Sequence, residues 1–248
     1  MPAFVISLPV GGNQAKENEV IAFLEACTSH GIILLPDIYN LTRDHPAALA
    51  LCQQTSALAL LAPHHPRAAK WILHSLGVRA SIKAFDSRQN FSAHETAGKL
   101  LASLPLYPGK SQALIFSQEL PERWYPVLDY DRCAGCGQCR EFCIFGVYGK
   151  KDDGTVFVGN PDNCKPGCPA CARVCPAGAI IFPRCSTDEA VAGAEQGALP
   201  GGDITAARAF AAEHLRVYES KTDSSEQTGG DEFDDLIDEL EKLENNQP

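Results

Sequence analysis

The chain has 248 residues, of which 45% are hydrophobic, and a net charge of −10 at neutral pH. This length allows a domain with its own hydrophobic core beside a small cofactor-binding unit, so we expect more than one domain. No stretch reaches the roughly 18 apolar residues of a membrane span, and the first residues lack the basic segment of an export signal, so we expect a cytoplasmic location.

The acidic charge is concentrated at the C-terminal end. Residues 221–248 contain ten acidic and two basic side chains, which leaves a net charge of −2 for everything before them. Residues 221–230 have the Ser, Thr, Gly and Gln content of a flexible linker. Residues 231–243 place their apolar side chains on one helical face. We therefore predict a flexible acidic tail with an amphipathic helix that folds on contact with a partner.

The first 105 residues alternate between apolar strands and amphipathic helices, which predicts a small α/β domain with a largely parallel sheet. Strands are predicted at 4–8, 32–35, 57–62 and 78–85. Helices are predicted at 17–29, at 45–53 with Asp44 as the N-cap, from a proline within 63–67 to 76, and from the Ser92-x-x-Glu95 capping box to about 103.

Several polar side chains follow the third and fourth predicted strands. Parallel sheets bind ligands or partners at the carboxyl ends of their strands, so this edge is where we place a candidate site. Its candidate residues are His64, His65, Arg67, Asp86, Ser87 and Arg88. Adjacent histidines in a loop are more often solvated or structural than functional, and the sequence leaves both interpretations open.

The remaining boundaries follow from composition. Residues 106–124, rich in proline and aromatic residues, are predicted to be a connector with a strand-like run at 113–116. A cysteine-rich unit extends over 125–185. A linker at 186–202 and a helix at 204–219 then lead to the tail at 221–248.

Eight cysteines stand in two runs of four with nearly the same spacing. The first run is Cys133, Cys136, Cys139 and Cys143, and the second is Cys164, Cys168, Cys171 and Cys175. Thiolates two residues apart can surround three corners of an iron-sulfur cube from one loop, while the fourth ligand must come from elsewhere. Four-cysteine zinc sites also use Cys-x-x-Cys pairs, but they usually join two short motifs across a gap.

These runs resemble the bacterial two-cluster [4Fe-4S] ferredoxins, in which the fourth cysteine of each run ligates the other cluster. The resemblance covers about residues 124–185 and implies an α+β ferredoxin-like dicluster module after the α/β domain. It also implies two [4Fe-4S] clusters and the ligand sets that follow. Cluster I would be held by Cys133, Cys136, Cys139 and Cys175, and cluster II by Cys143, Cys164, Cys168 and Cys171.

Apolar side chains near the runs are expected to pack round the clusters and limit water there. They are Ile144, Phe145, Val147, Val174, Ile180 and Ile181. Cys185 is expected to be a spectator, because the set of eight ligands is complete without it.

Electron transfer is the function that these features favour, as a dedicated carrier or as a relay subunit of a larger oxidoreductase. Two alternatives stay open: a redox-sensing or interaction protein with structural clusters, and an enzyme with its site in the N-terminal domain. The partners we expect are redox proteins docked by the N-terminal domain, the acidic C-terminal helix or both, and we expect neither a nucleic-acid partner nor a membrane span.

Overall fold

The computed structural model describes residues 3–8, 14–54, 56–105 and 113–195. Both helices predicted beyond residue 203 lie outside these ranges. The first half contains β1 (Ala3–Leu8), α1 (Gln14–Cys27), β2 (Gly31–Pro36), α2 (Pro46–Cys52), β3 (Leu58–Ala62), α3 (Pro66–Leu76), β4 (Ile82–Asp86), α4 (Ala93–Leu101) and β5 (Ala113–Ile115). We call this half the α/β part.

The strands of the α/β part form one parallel sheet in the order β4-β3-β1-β2-β5, which confirms the predicted class. Because successive strand residues point to opposite faces, each face has its own core. Phe4 and Ile6 pack in one core with apolar residues of α1 and α4. Val5 packs in the other core with Leu51 of α2 and Ile72 of α3.

The helix ends mostly follow the local signals. α3 begins at Pro66 and ends before Gly77, and the capping box of Ser92 and Glu95 at α4 is formed in both directions. The predicted cap of α2 is wrong, because the N-cap is His45, whose ring accepts a hydrogen bond from the Ala47 N–H, and not Asp44.

Two strand predictions also change. The strand predicted to begin at residue 78 begins at Ile82, since Val78 instead continues the turn that ends α3 by donating to the Leu73 carbonyl at 3.1 Å. The strand-like run of the connector pairs in parallel with β2, so it forms an edge of the sheet.

The second half, which we call the cysteine part (residues 125–195), contains short elements. They are β6 (Val127–Leu128), α5 (Gln138–Phe142), β7 (Tyr148–Lys150), β8 (Val156–Val158), α6 (Ala170–Val174), β9 (Ile180–Ile181) and α7 (Glu189–Ala192). β6 pairs with β9 and β7 with β8, both antiparallel. The linker predicted after residue 185 therefore contains a helix, capped by the Asp188 side chain.

The β6–β9 ribbon joins the two halves. Val127 and Ile181 are opposite each other and belong to the same core as Val5. Leu128 and Ile180, the next pair, belong to the core of the cysteine part. One face of this ribbon therefore completes the α/β part, and the other face lies under the cysteines. No helix among the described residues is long and apolar enough to cross a bilayer.

Candidate functional site

The two cysteine runs have the same local structure. In each run the third cysteine lies in a short helix, Cys139 in α5 and Cys171 in α6. The fourth cysteine, Cys143 or Cys175, ends that helix in an extended conformation, with φ of −83° and −73°. The two runs therefore share a short helix that ends at an extended fourth cysteine.

The structure brings the cysteines together in two groups of four. One cavity is lined by Cys133, Cys136 and Cys139 of the first run together with Cys175 of the second. We call these four residues group I. Group II consists of Cys143 of the first run and Cys164, Cys168 and Cys171 of the second. These thiols are close enough that charges on Cys143 and Cys168 act to raise the pKa of both Cys164 and Cys171. Each group thus takes its fourth member from the other run.

The loop of the first run needs glycine at its bends. Gly135 has a φ of 74°, in the left-handed region that residues with a Cβ avoid. Burial raises the pKa of the Cys133 thiol. The backbone N–H of Gly135, which approaches this thiol, lowers the pKa by a smaller amount. Backbone donors also reach Cys175, whose Sγ accepts a hydrogen bond from the Ala179 N–H at 3.3 Å.

Both groups disfavour free thiolates. Burial, and after it the charge of neighbouring thiols, raises the pKa of Cys164 to about 12. Burial also raises the pKa of Cys171 to about 11 and increases the pKa of Cys133, Cys139 and Cys175. Four close thiolates therefore need a positively charged centre between them, which an iron-sulfur core supplies when bound. The donor set fits such a group.

Among the residues described, no three His, Cys, Asp or Glu side chains are close enough to bind one metal ion. The thiolates around a cubane each bind a different iron atom, so they lie further apart than the ligands of one ion.

A tyrosine that the sequence analysis missed contacts group II. The hydroxyl of Tyr148, a residue 7% exposed, donates a hydrogen bond to Cys171 Sγ at 3.1 Å. Burial raises the pKa of Tyr148 well above its usual range, so the hydroxyl keeps its proton. Nothing in the local sequence distinguishes this tyrosine, because β7 and α6 meet only in the folded chain.

The apolar surroundings of the cysteines differ in part from the prediction. Val147, Ile180 and Ile181 are buried as expected, and Val174 is half-buried. Ile144 and Phe145 are not buried: their exposed fractions are 88% and 39%. Together with Phe142 they form an exposed apolar surface on either side of Cys143. Cys185 is buried, with its sulfur 3.5 Å from the Thr187 hydroxyl.

Three candidate residues at the carboxyl edge of the sheet take part in contacts with the cysteine part: His65 and Arg67 directly, and His64 through Asp37. His64 lies 2.7 Å from a carboxylate oxygen of Asp37, and the other oxygen accepts a hydrogen bond from Arg184 at 2.8 Å. Although burial acts to raise the pKa of Asp37, the hydrogen bonds from His64 and Arg184 lower it to about 2. Nearby, the Tyr39 hydroxyl donates to the carbonyl of Tyr125.

Four of the other candidates form ion pairs or hydrogen bonds, and Ser87 donates its backbone N–H to the Ala62 carbonyl. His65 lies 2.6 Å from Glu189 of α7, and Arg67 donates to Asp129 at 2.6 Å. Arg88 pairs with Asp86 two residues before it. The part of this edge at His64, His65 and Arg67 therefore lies against the cysteine part, and these side chains help to hold the two halves together.

Comparison with known proteins shows which protein family the chain belongs to. No protein-family model matches the chain. Similar curated proteins include an uncharacterized ferredoxin of Methanocaldococcus jannaschii, 46% identical over 61 residues, which are 24% of this chain and 41% of that protein. Ferredoxin-3 of Nostoc sp. is 36% identical over 66 residues, or 20% of this chain and 67% of that protein. A second uncharacterized ferredoxin of Methanocaldococcus jannaschii is 32% identical over 58 residues, or 23% of this chain and 74% of that protein.

The chain belongs to the ferredoxin family. The similarity is confined to about a quarter of its length, and the chain spans about two fifths of the first relative. Membership in the ferredoxin family supports an iron-sulfur electron-transfer region within a longer chain.

Proposed function

We propose that the chain carries single electrons through two [4Fe-4S] clusters, as a dedicated ferredoxin-type carrier or as an electron-relay subunit of a larger oxidoreductase. The grouping of eight cysteines into two sets of four, each drawing on both runs, carries this proposal. Group I would hold cluster I and group II cluster II. Such a cluster accepts and releases one electron when bound.

The residues of the chain hold and shield these clusters in the proposal. Four thiolates fill the four corners of each cube, so no iron position is left open for a substrate, and we assign the chain no catalytic residue. Val147 and Ile180 limit water near the sulfurs, while the Ala179 N–H and the Tyr148 hydroxyl stabilise negative charge on them.

Anaerobic reconstitution tests this function directly. We expect about eight iron atoms and a matching amount of sulfide per chain, and two clusters that take up one electron each reversibly in a reductive titration followed by EPR. Zinc in place of iron, or clusters that take up no electron reversibly, would refute the carrier function. The second result would favour the redox-sensing alternative.

Cysteine variants test the crossed ligand sets. Cys139→Ser and Cys175→Ser, in different runs, should impair the same cluster. Cys143→Ser should impair the other. Cys185→Ser is the matched control, because Cys185 is also buried in the cysteine part and should leave both clusters unchanged. Loss of different clusters in the first two variants would contradict the assignment.

We propose that protein redox partners dock through the α/β part, the acidic C-terminal helix predicted at residues 231–243, or both. The edge of the sheet at His64 and Arg67 contacts the cysteine part, so docking by the α/β part would use other surfaces. Deleting residues 231–248 should slow reduction by the native partner and leave the cluster potentials unchanged. An unchanged rate would remove the tail from this role.

The thiol chemistry of the clusters favours a cytoplasmic location.

A further inference from the structure

One arginine of the α/β part reaches the loops that carry group I. Arg67 lies in the first turn of α3 and is 5% exposed. Its Nε donates to Asp129 Oδ2 at 2.6 Å, and its Nη2 donates to the carbonyl oxygen of Gly178 at 2.5 Å. Both side chains of the Arg67–Asp129 pair are 4% exposed, so this contact is shielded from solvent.

The two partners of Arg67 are attached to opposite ends of group I. The carbonyl oxygen of Asp129 accepts a hydrogen bond from the Cys133 N–H at 2.9 Å. The Gly178 N–H donates to the Cys175 carbonyl at 3.1 Å. Arg67 therefore fixes the distance between the loop before the first cysteine of the first run and the loop after the last cysteine of the second run.

Among the buried side chains at this point, two guanidinium groups share one carboxylate. Arg132 Nε lies 3.6 Å from the same oxygen of Asp129, so one carboxylate stands between two guanidinium groups. The other partner of Arg132 is Glu195, at 3.7 Å and with a side chain that is 70% exposed. In the part of the chain that is described, Nη1 of Arg67 and Nη1 of Arg132 are buried and have no hydrogen-bond partner. The buried side chains next to the loops that carry Cys133 and Cys175, two arginines and one aspartate, thus have one net positive charge, which Glu195 balances only from an exposed position.

Such a charge acts on a cluster at group I in a known direction. One-electron reduction adds one negative charge, and Coulomb attraction in a solvent-shielded place is stronger than in water. A buried cation beside the cluster therefore stabilises the reduced form more than the oxidised form and raises the reduction potential. Group II receives a different contribution, the hydroxyl of Tyr148.

We propose that Arg67 is a positioning residue for group I that raises the potential of the cluster held there above the value the cysteine part would set alone. The α/β part thereby helps to set the reduction potential of one of the two clusters. This inference rests on the proposed two-cluster function.

The test compares charge variants in the full chain. Arg67→Gln removes the cation, and we expect the potential of one cluster to shift to a lower value while the other shifts much less, in an anaerobic titration followed by EPR. Lys70→Gln is the matched control: Lys70 lies on the same helix and pairs with Asp131 at 2.8 Å, but the pair is exposed, and its loss should leave both potentials unchanged.

A variant of opposite sign separates the charge from a merely structural role. Asp129→Asn removes the carboxylate and leaves both arginines, so the potential of the same cluster should rise. A loss of packing alone would not produce opposite shifts in the two variants. If Arg67→Gln fails to assemble clusters, Asp129→Asn and Arg67→Lys, which keeps the charge, decide the matter.

Each result has a distinct meaning. Unchanged potentials in Arg67→Gln, equal shifts of both clusters, or an unchanged or lowered potential in Asp129→Asn would overturn the inference while the two-cluster function stands. A native chain that assembles no reducible clusters would instead refute the proposed function.

Discussion

The contact between α7 and the α/β part makes a quantitative prediction at Gly193. This glycine follows α7 with a φ of 105°. A Cβ at this position would lie 2.8 Å from the Ala68 Cβ, 3.2 Å from the Ala68 backbone nitrogen and 3.1 Å from a methyl carbon of Ile181. Ala68 belongs to the first turn of α3 and has no flexible side chain that could move aside. The glycine therefore allows two backbones to approach closely.

Gly193→Ala should carry two costs. The left-handed conformation costs a residue with a Cβ about 1–2 kcal/mol. Overlap with Ala68 and Ile181 adds about 1–3 kcal/mol, the usual range for overpacking in a core. We expect the free energy of unfolding to fall by about 2–5 kcal/mol, measured by urea unfolding of the anaerobic, cluster-loaded chain with far-UV circular dichroism.

Gly154→Ala separates the two costs. Gly154 has a φ of 84°, and the nearest atom to its added Cβ would be Lys150 Cε at 3.9 Å, an ordinary contact with a flexible side chain. This variant should lose only the conformational cost of about 1–2 kcal/mol. Equal destabilisation by the two substitutions would refute the argument that α7 packs tightly on α3.

Three further predictions concern single side chains. The pKa of Asp37 is lowered from an ordinary value of 3.8 to about 2, which contributes about 2 kcal/mol to the free energy of unfolding. This contribution is present above about pH 4 and is lost as the pH falls towards about 2. Asp37→Asn should therefore show a smaller decrease of the thermal midpoint on acidification than the native chain, and an equal decrease would contradict this. Ser92→Ala removes the N-cap of α4 and should lower the free energy of urea unfolding by about 1 kcal/mol; no loss would mean that the cap is dispensable. Tyr148→Phe removes the hydroxyl that donates to Cys171 and should lower the potential of the cluster proposed for group II in an EPR titration, whereas a higher potential would reverse the assigned role.

The sequence predicted those features that are encoded within a few residues. Pro66 at the start of α3 and the capping box of Ser92 and Glu95 are local signals, and the structure contains both. The parallel class of the sheet followed from alternating strands and helices. The edge strand β5 was less clear, because three residues become a strand only through pairing with β2.

The connection between the two halves could not be predicted in the same way. Arg67 is separated from Asp129 by 62 positions, and Asp37 from Arg184 by 147. The sequence indicated polar residues at a strand end, which is equally typical of a ligand site and of a contact between domains. Ile144 shows the same limit, since its hydrophobicity does not reveal that the folded chain leaves it exposed.

The β6–β9 ribbon has a consequence for the order of assembly during synthesis. Its strands lie at residues 127–128 and 180–181, so they enclose all eight cysteines of the two runs along the chain. The first cysteine run therefore leaves the ribosome well before β9, the strand that pairs with β6, has been synthesised. The sheet of the α/β part is complete at residue 115, and it can fold first and present the apolar surface on which Val127 and Ile181 pack. On the proposed two-cluster function, insertion of a cluster into group I would then be a late event, since Cys175 is followed closely by the second strand of the ribbon.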